Sequence, residues 1–380
     1  MTCLAGHIVG SNCAFRGVLT FADGRIAAAR EDPDVTPDFG DAWIVPGFVD
    51  IHTHGVGPHT YPSEEAVAGG SEWLVRFGVT SFYPTVASIP PEGYEAFLRT
   101  VARLAGRTGG ARIAGAHLEG PFINPVRKGG MDEHALRPPD ADVVDRLIAA
   151  AHGEPFIITL SPELPGALPA IRRFSGTGNI VALGHSNAST EILRSAVDAG
   201  ARIVTHLHNV FLRPGEIEAD SVVRDALSFV YGEARLWASV VGDLRHVSAD
   251  WLRRDYKGLG PERFVLMSDL MPGAGLPEGE HAMPDGRRYV TSGGVGRLAD
   301  TGVMAGSVVT LNRMVMNLMS AAGIGFPEAS HAASRNAAMA VGIGERAGAL
   351  QPGMPADAAV IDRTGNCLAT YVGGRAVHRA

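Results

Sequence analysis

Histidines and carboxylates recur along this sequence at positions where they could hold a metal ion. His52 and His54 stand two residues apart in "DIHTHG", and Glu119 precedes a Gly-Pro pair in "HLEGPF". Three further polar residues follow short apolar runs: His185, His206 and Asp269. Imidazole and carboxylate are the ligands that a borderline divalent ion such as zinc or iron(II) prefers. The residue types therefore predict a metal centre, and a carboxylate beside it could accept or donate protons.

Each of these residues, taken alone, also has an ordinary structural explanation. A single histidine near a strand end is more often a hydrogen-bonded structural residue than a ligand. Glu119 could cap the following helix, and Asp269 could form a turn. A bound cation would favour the charge of Glu119, whereas burial alone would raise its pKa. Other histidines are assigned to structure or surface: His59, His117, His134, His152, His331 and His378.

Eight short apolar runs predict the strands that would position the polar residues. They cover 44–51, 79–85, 112–118, 156–162, 179–185, 201–206, 236–243 and 263–269. Amphipathic segments lie between them, and several end near a glycine that suits a helix C-cap. Strand–helix alternation predicts an α/β protein with a parallel sheet, and eight repeats favour a closed (β/α)8 TIM-like barrel over a doubly wound open sheet. In such a barrel the six polar residues would converge at the C-terminal ends of the strands.

The two ends of the chain have a different pattern. Residues 1–45 contain a hairpin signal around Asp23-Gly24, and residues 346–380 contain short strands separated by glycine turns. We expect these segments to pair as a small β-sandwich domain, with residues 46–345 forming the catalytic barrel. A hairpin-like insert, "GRRYVTSGGVGRLADTG", follows the eighth predicted strand.

The composition is that of a soluble globular protein, with 46% hydrophobic and 19% charged residues. A net charge of −7 without a basic block argues against a nucleic-acid or membrane-surface partner. No apolar run reaches membrane-spanning length, and the N-terminal segment has no basic region before an apolar core. Three widely spaced cysteines make a disulfide framework improbable, so we expect a cytoplasmic, reduced protein.

Six motifs in this chain resemble those of a known family in order and spacing. They are "PGFVDIHTHG", "HLEGPF", "GHSNAS", "THLHN", "SDLMPGAG" and "MAGS". They resemble the motifs of the N-acetylglucosamine-6-phosphate deacetylases in the amidohydrolase superfamily, and the resemblance covers essentially the whole chain. "HLEGPF" with "GHSNAS" is specific, since related families usually supply a modified lysine where this one has the glutamate. The resemblance implies hydrolysis of N-acetylglucosamine 6-phosphate to glucosamine 6-phosphate and acetate.

The resemblance also implies roles for individual residues. Glu119, His185 and His206 would hold the principal divalent ion, zinc or iron. His52 and His54 would serve a second ion in members that bind two, with Glu119 bridging, and some members use one ion. Asp269 would be the catalytic acid and base, and the protein would be a homodimer acting on a small amino sugar. Substrate contacts are expected from Asn209, Val210, His246, Met131 and Ser307. The motif "MAGS" (304–307) is expected to form a turn before the following helix, so Ser307 has an equally good explanation as the N-cap of that helix.

Three positions depart from the family pattern. Met131 stands where the family usually has a histidine, and His208 replaces a usual aromatic residue. The family presents an arginine from a neighbouring subunit to the sugar phosphate, but here the loop after "THLHN" is short and acidic, and the candidates Arg213 and Arg224 do not align cleanly with that arginine. These departures keep open a deacylase or cyclic-amide hydrolase acting on an unphosphorylated sugar or an N-acyl amino acid. A catalytically silent barrel used for binding is the alternative of another class, although the whole ligand set is present.

Overall fold

Eight parallel strands form a nearly closed barrel, which confirms the predicted α/β fold class. The computed structural model describes residues 2–10, 13–106, 109–209, 211–283 and 286–380. The barrel strands, in chain order, are Phe48–Thr53, Val79–Ala87, the interrupted third strand Arg112–Ile113 and His117–Glu119, Ile157–Leu160, Ile180–Leu183, Ala201–Val204, Trp237–Val241 and Phe264–Met267. The first and last strands meet where the amide of His54 donates to the carbonyl of Leu270, at 2.7 Å. This contact and the isolated bridge between Thr53 and Leu270 bring the two edges of the sheet together, so the open-sheet alternative is wrong.

The first barrel strand begins later than the sequence predicts. The run 44–51 was expected to be one strand, but the structure divides it between Trp43–Pro46, which joins another sheet, and Phe48–Thr53. The break falls at Gly47, where an added Cβ would lie 2.1 Å from the hydroxyl oxygen of Thr80. Only glycine allows this close approach, and the chain passes there from one sheet to the other.

Helices surround the barrel and supply the other half of its core. The α-helices are Glu64–Leu74, Pro91–Leu104, Ala141–Ala150, Ala167–Gly176, Thr190–Asp198, Pro214–Ala219, Ser221–Gly232, Ala249–Leu259, Leu311–Ala322, Phe326–Ala332 and Arg335–Ala340. The short 3₁₀ turns are Val75–Phe77, Pro125–Arg127 and Glu133–Ala135. Several begin at side-chain caps such as Ser63, Asp140 and Ser189, whose oxygens accept from backbone amides of the first turn. Among the helices of the described residues, none combines the length and apolar character needed to cross a membrane.

Both ends of the chain contribute to a separate small β domain, as predicted. Its strands are Thr2–Val9, Ala14–Ala22, Arg25–Glu31, Trp43–Pro46, Ala358–Ile361, Cys367–Val372 and Arg375–Arg379. They form one continuous seven-stranded sheet in which Trp43–Pro46 lies between Thr2–Val9 and Ala358–Ile361. The sheet has its own cluster of buried side chains, including Ile8, Phe21 and Tyr371.

The insert after the eighth barrel strand is a four-stranded antiparallel sheet, larger than the expected hairpin. It consists of Gly279–Ala282, Arg288–Ser292, Val295–Leu298 and Met304–Ser307, and a separate short hairpin pairs Gly55–Val56 with His59–Thr60. The expectation of a turn at "MAGS" is wrong, because Met304–Ser307 is the last strand of the insert. The amide of Ser307 donates to the carbonyl of Asp269 at 2.8 Å, which fastens the insert sheet to the barrel mouth.

Candidate active site

The structure brings the six polar residues of the sequence motifs together at one end of the barrel. His52 and His54 lie at the end of the first strand, and Glu119 is the last residue of the third. His185, His206 and Asp269 each stand two residues beyond the end of a strand. All of these side chains are buried except that of His54, which is partly exposed.

Three of these residues share an unusual backbone conformation. His185, His206 and Asp269 have φ angles of 50°, 31° and 50°. Residues with a Cβ rarely adopt this left-handed region, and such strain persists only where the surroundings hold it. Here the amide of His206 donates to the Ser239 hydroxyl at 3.0 Å, and the amide of Asp269 donates to the carbonyl of His52 at 3.0 Å. The chain therefore turns sharply at each strand end.

Glu119 occupies the centre of the group. Its Oε1 atom lies 3.0 Å from Nε2 of His185 and 2.8 Å from Nε2 of His206. Its Oε2 atom lies 3.3 Å from Nε2 of His54 and 3.7 Å from Nε2 of His52. Burial acts to raise the pKa of Glu119, but the charge of His52 and hydrogen bonds from the surrounding imidazoles hold it well below its usual range. The carboxylate is thus set among four imidazoles.

The hydrogen-bonding of His185 tests whether a cation fits this group. Its Nδ1 atom lies 2.8 Å from the carbonyl oxygen of Arg127, which can only accept, so Nδ1 carries a proton. In a neutral ring the lone pair of Nε2 then faces Oε1 of Glu119 across 3.0 Å. Two electron-rich atoms at this distance attract a cation between them. Hydrogen bonding from a ligand histidine to a backbone carbonyl is also typical of metal sites.

Two sets of ligand atoms meet the spatial requirement for an ion, and they share Glu119. His52, His54 and Glu119 form one set, and Glu119, His185 and His206 form the other; within each set the ligand atoms lie within 4.8 Å of one another. Neutral imidazole nitrogens with a carboxylate suit a divalent ion of the zinc or iron type. The residues present therefore fit a metal centre.

Asp269 lies beside the His52–His54 pair. Its Oδ1 atom is 3.5 Å from Nε2 of His54 and 3.6 Å from Nε2 of His52. Burial acts to raise its pKa, but the hydrogen bond to His54 and the charges of the histidines lower it below its ordinary value. Burial acts to lower the pKa of His54, whereas Asp269 and Glu119 outweigh burial and raise it to about 10. The two carboxylates thus favour positive charge between them.

His246 lies on the other side of Asp269. Its Nδ1 atom is 2.7 Å from Oδ2 of Asp243, and its Nε2 atom is 3.9 Å from Oδ2 of Asp269. Nε2 is buried and has no hydrogen-bond partner within the part of the chain that the structure describes. Burial acts to lower the pKa of His246, but its hydrogen bond to Asp243 outweighs this and raises it. The expected contact between His246 and substrate stays a prediction, since the ring lies against Asp269.

Further buried polar residues pack beside the candidate metal ligands His52, His54, Glu119, His185 and His206, which we call the metal-binding group. His117, which the sequence assigned to structure, packs its ring 4.4 Å from that of His52 and lies 2.7 Å from the carbonyl oxygen of Ile51. Asp50 accepts hydrogen bonds from the amide and hydroxyl of Ser268, and burial raises the pKa of Asp50 to about 6. Sequence reasoning missed Asp50, although its position two residues before His52 places both on the same face of the strand.

A cavity of about 460 Å³ opens above these residues. Met131, Asn209 and Arg213 line it, and their contacts with substrate stay predictions. Arg224 instead donates to the carbonyls of Ile217 and Glu218. Sequence reasoning missed other residues of the cavity wall, among them Tyr61, Met271, Arg287 and Tyr289. Val210 lies outside the described residues.

Ser307 does not cap the following helix, and its expected backbone contact with substrate stays a prediction. The side chain is fully buried, and its hydroxyl accepts from the amide of Val309 at 3.1 Å. Met304 and Ala305 of the same strand line the cavity. The N-cap of the helix Leu311–Ala322 is Thr310, so the N-cap explanation for Ser307 is wrong.

Proteins of known activity resemble this chain over most of its length. No protein-family model matches the chain. The human N-acetylglucosamine-6-phosphate deacetylase is 32% identical over 372 residues, which cover 95% of this chain and 88% of that protein. An N-acetylgalactosamine-6-phosphate deacetylase of Escherichia coli O157:H7 is 31% identical over 352 residues, covering 90% of each. The structure of a mutant N-acetyl-D-glucosamine-6-phosphate deacetylase from Mycobacterium smegmatis, in complex with N-acetyl-D-glucosamine-6-phosphate, superimposes with a TM-score of 0.90 at 28% identity, covering 99% of both chains.

Proposed function

Since the chain belongs to the N-acetylglucosamine-6-phosphate deacetylase family, we propose that it removes the acetyl group from N-acetylglucosamine 6-phosphate by metal-dependent amide hydrolysis. The products are glucosamine 6-phosphate and acetate. One observation carries the proposal: Glu119, His185 and His206 bring three ligand atoms together at the base of a cavity large enough for a sugar phosphate. The same observation disfavours a catalytically silent barrel.

We propose that this group binds two divalent ions, zinc or iron. Glu119, His185 and His206 would hold the principal ion, and His52 and His54 would hold the second, with Glu119 belonging to both ligand sets. The two ligand sets on either side of one carboxylate support this assignment. A bound ion of this kind would lower the pKa of a water molecule to about 7 and would polarise a carbonyl group.

Asp269 is the proposed proton carrier. Its lowered pKa keeps it ionised near neutral pH, so it can accept a proton from the attacking water. Hydrolysis forms a bond between the water oxygen and the acetyl carbon and breaks the bond from that carbon to the sugar nitrogen. The proton that Asp269 has accepted then passes to the departing amine. Nε2 of His246, whose ring is held by Asp243, lies 3.9 Å from the other carboxylate oxygen of Asp269.

Arg213 and Arg287 are the proposed contacts of the 6-phosphate. Both line the cavity, whose acidic members Glu119 and Asp269 belong to the metal-binding and proton-transfer group. Guanidinium groups suit a phosphate because they donate several hydrogen bonds in a fixed plane. Met131, which lines the same cavity, offers the substrate an apolar surface in place of the family's usual histidine.

The test is acetate release from a panel of three sugars by protein of known metal content. We expect turnover of N-acetylglucosamine 6-phosphate to exceed that of N-acetylglucosamine and of N-acetylgalactosamine 6-phosphate. Equal turnover with and without the phosphate would favour the deacylase of unphosphorylated sugars. Acetate release from none of them would contradict the proposal.

We further propose that the protein is a cytoplasmic homodimer. Each chain has two domains: the small β domain, residues 1–45 with 346–380, and the catalytic barrel, residues 46–345. The dimer follows from the family resemblance, and the domain division is supported by the separate buried cluster of the terminal sheet. Cys3, Cys13 and Cys367 form no disulfide, which suits a reducing compartment. Light scattering of the purified protein tests the subunit number.

A further inference from the structure

The ring of His208 fastens a tight turn next to the proposed metal ligand His206. Its Nδ1 atom lies 2.6 Å from the carbonyl oxygen of Leu212, and its backbone amide donates to the carbonyl of Phe211 at 3.0 Å. His208 and Leu212 have φ angles of 77° and 50°, which residues with a Cβ adopt only when neighbouring contacts hold them. A carbonyl oxygen only accepts, so the ring donates to it.

The other edge of the ring is tied to the outer helices. Nε2 of His208 lies 2.8 Å from Oδ1 of Asp255, which is on the helix Ala249–Leu259. The hydroxyl of Tyr231, on the helix Ser221–Gly232, donates to the same oxygen at 2.7 Å. The side chains of His208 and Asp255 are both 0% exposed, and the ring packs 4.7 Å from that of Trp251. One carboxylate therefore connects the turn to two helices.

The turn joins the metal-binding group to the wall of the cavity. It begins at His206, whose Nε2 contacts Glu119, and it leads to Asn209 and Arg213, which line the cavity. His208 is also the residue that departs from the aromatic residue usual in the family. A phenylalanine ring in this position could neither donate to the carbonyl of Leu212 nor pair with Asp255.

We propose that His208 and Asp255 are positioning residues, which hold residues 206–209 and 211–213 so that Asn209 and Arg213 face the substrate. The hydrogen bond to Leu212 fixes the conformation of the turn, and the bond to Asp255 fixes its place against the barrel. The consequence for substrate binding rests on the proposed function, whereas the conformational role of the pair does not.

Two variants separate this role from a contribution to stability. His208→Phe keeps a ring against Trp251 but leaves the buried carboxylate of Asp255 without its histidine partner, so the protein is destabilised. The double variant H208F/D255L also removes that carboxylate, and its free energy of unfolding should return towards the wild-type value. Tyr231→Phe is the control, because it removes the outer hydrogen bond to Asp255 and leaves the turn's own bonds intact.

Amide hydrogen exchange of the metal-loaded proteins reports on the turn without any substrate. We expect segment 206–213 to exchange at least about tenfold faster in H208F/D255L than in the wild type, with Tyr231→Phe unchanged. The metal content should stay the same in all three proteins. If this segment exchanged in the stabilised double variant at the same rate as in the wild type, the proposal would be overturned.

Steady-state kinetics then test the consequence for substrate. We expect H208F/D255L to raise KM for N-acetylglucosamine 6-phosphate about tenfold, with a smaller change in kcat. If H208F/D255L had both the stability and the KM of the wild type, His208 and Asp255 would contribute only to stability, and the proposal would be overturned. If the wild-type enzyme releases no acetate from this substrate, the proposed function fails, and the exchange measurement still decides the role of His208.

Discussion

Nε2 of His185 lies 3.0 Å from Oε1 of Glu119, although the two residues are 66 positions apart in the chain. The contact exists because Glu119 ends one parallel barrel strand and His185 lies two residues beyond the end of another, and all such ends meet at one face. The other nitrogen of His185 donates to the carbonyl of Arg127, which directs the free edge of the ring at the carboxylate. This pair explains why the chain buries an acid at the end of its third strand.

Replacing the shared carboxylate should abolish metal binding. We expect Glu119→Gln, which keeps the size of the side chain but removes its charge, to lose at least ~90% of the bound metal and the activity with it. Elemental analysis of the purified protein measures this. The matched control is Glu163→Gln, since Glu163 binds Ser186 and Asn187 in a nearby loop and should leave the metal in place. Wild-type metal content in Glu119→Gln would show that the ligands lie elsewhere.

The number of ions can be tested at the first strand. We expect the wild-type protein to bind two equivalents of metal per chain, and the double variant H52N/H54N to bind one, because Glu119, His185 and His206 remain. Titration of metal-stripped protein with zinc, followed by calorimetry, gives the stoichiometry. One equivalent in the wild type would exclude the second site.

Asp269→Asn should separate chemistry from metal binding. The amide keeps the shape of the side chain but cannot accept the proton, so we expect kcat to fall by about 10²- to 10⁴-fold. Metal content should stay at the wild-type level, because Asp269 belongs to neither ligand set. A variant with near wild-type kcat would rule out Asp269 as the proton carrier.

Replacing Arg213 and Arg287 should weaken binding of the phosphorylated sugar but not of the unphosphorylated one. We expect the double variant R213M/R287M to raise KM for N-acetylglucosamine 6-phosphate by about tenfold to a hundredfold, since charged hydrogen bonds to the phosphate are lost. KM for N-acetylglucosamine should change little. Arg224→Met is the control, because its guanidinium binds backbone carbonyls away from the cavity. An equal effect on both sugars would indicate a general disturbance of the cavity rather than phosphate recognition.

The Asp243–His246 pair should make a pH-dependent contribution to stability. The pKa of His246 is raised above its ordinary 6.5, so its contribution is complete below 6.5 and is lost as the pH rises through the raised value. The pKa of Asp243 is lowered below 3.8, so its contribution is complete above 3.8 and is lost as the pH falls through the lowered value. We therefore expect His246→Gln to cost ~1.5–3 kcal/mol near pH 5.5 and less near pH 9. Urea unfolding of metal-free protein at both pH values measures this, and a difference that grew with pH would contradict it.

The barrel and its polar rim could be predicted because both follow local rules. Strands buried on both faces, such as Ile157–Leu160 and Phe264–Met267, are continuous apolar runs, and the residues after them occupy the mouth. His185 and Asp269 were therefore placed at the site from the position of each strand end. The left-handed backbone at these residues left no sign in the sequence, because it depends on contacts made across the barrel.

The features that sequence reasoning missed depend on contacts between distant segments. Arg287 reaches the cavity because the insert sheet folds over the barrel mouth, where its guanidinium donates to the carbonyl of Gly130, 157 residues away. The strand at Met304–Ser307 was expected to be a turn, and its pairing with Val295–Leu298 stabilises it. The break at Gly47 likewise depends on the side chain of Thr80.

The most direct test of the central claim is an anomalous-difference map from crystals of the protein grown with zinc. We predict a peak about 2.0–2.2 Å from a carboxylate oxygen of Glu119 and from Nε2 of both His185 and His206. A fully occupied zinc ion bound elsewhere, with no peak among these three residues, would contradict the account.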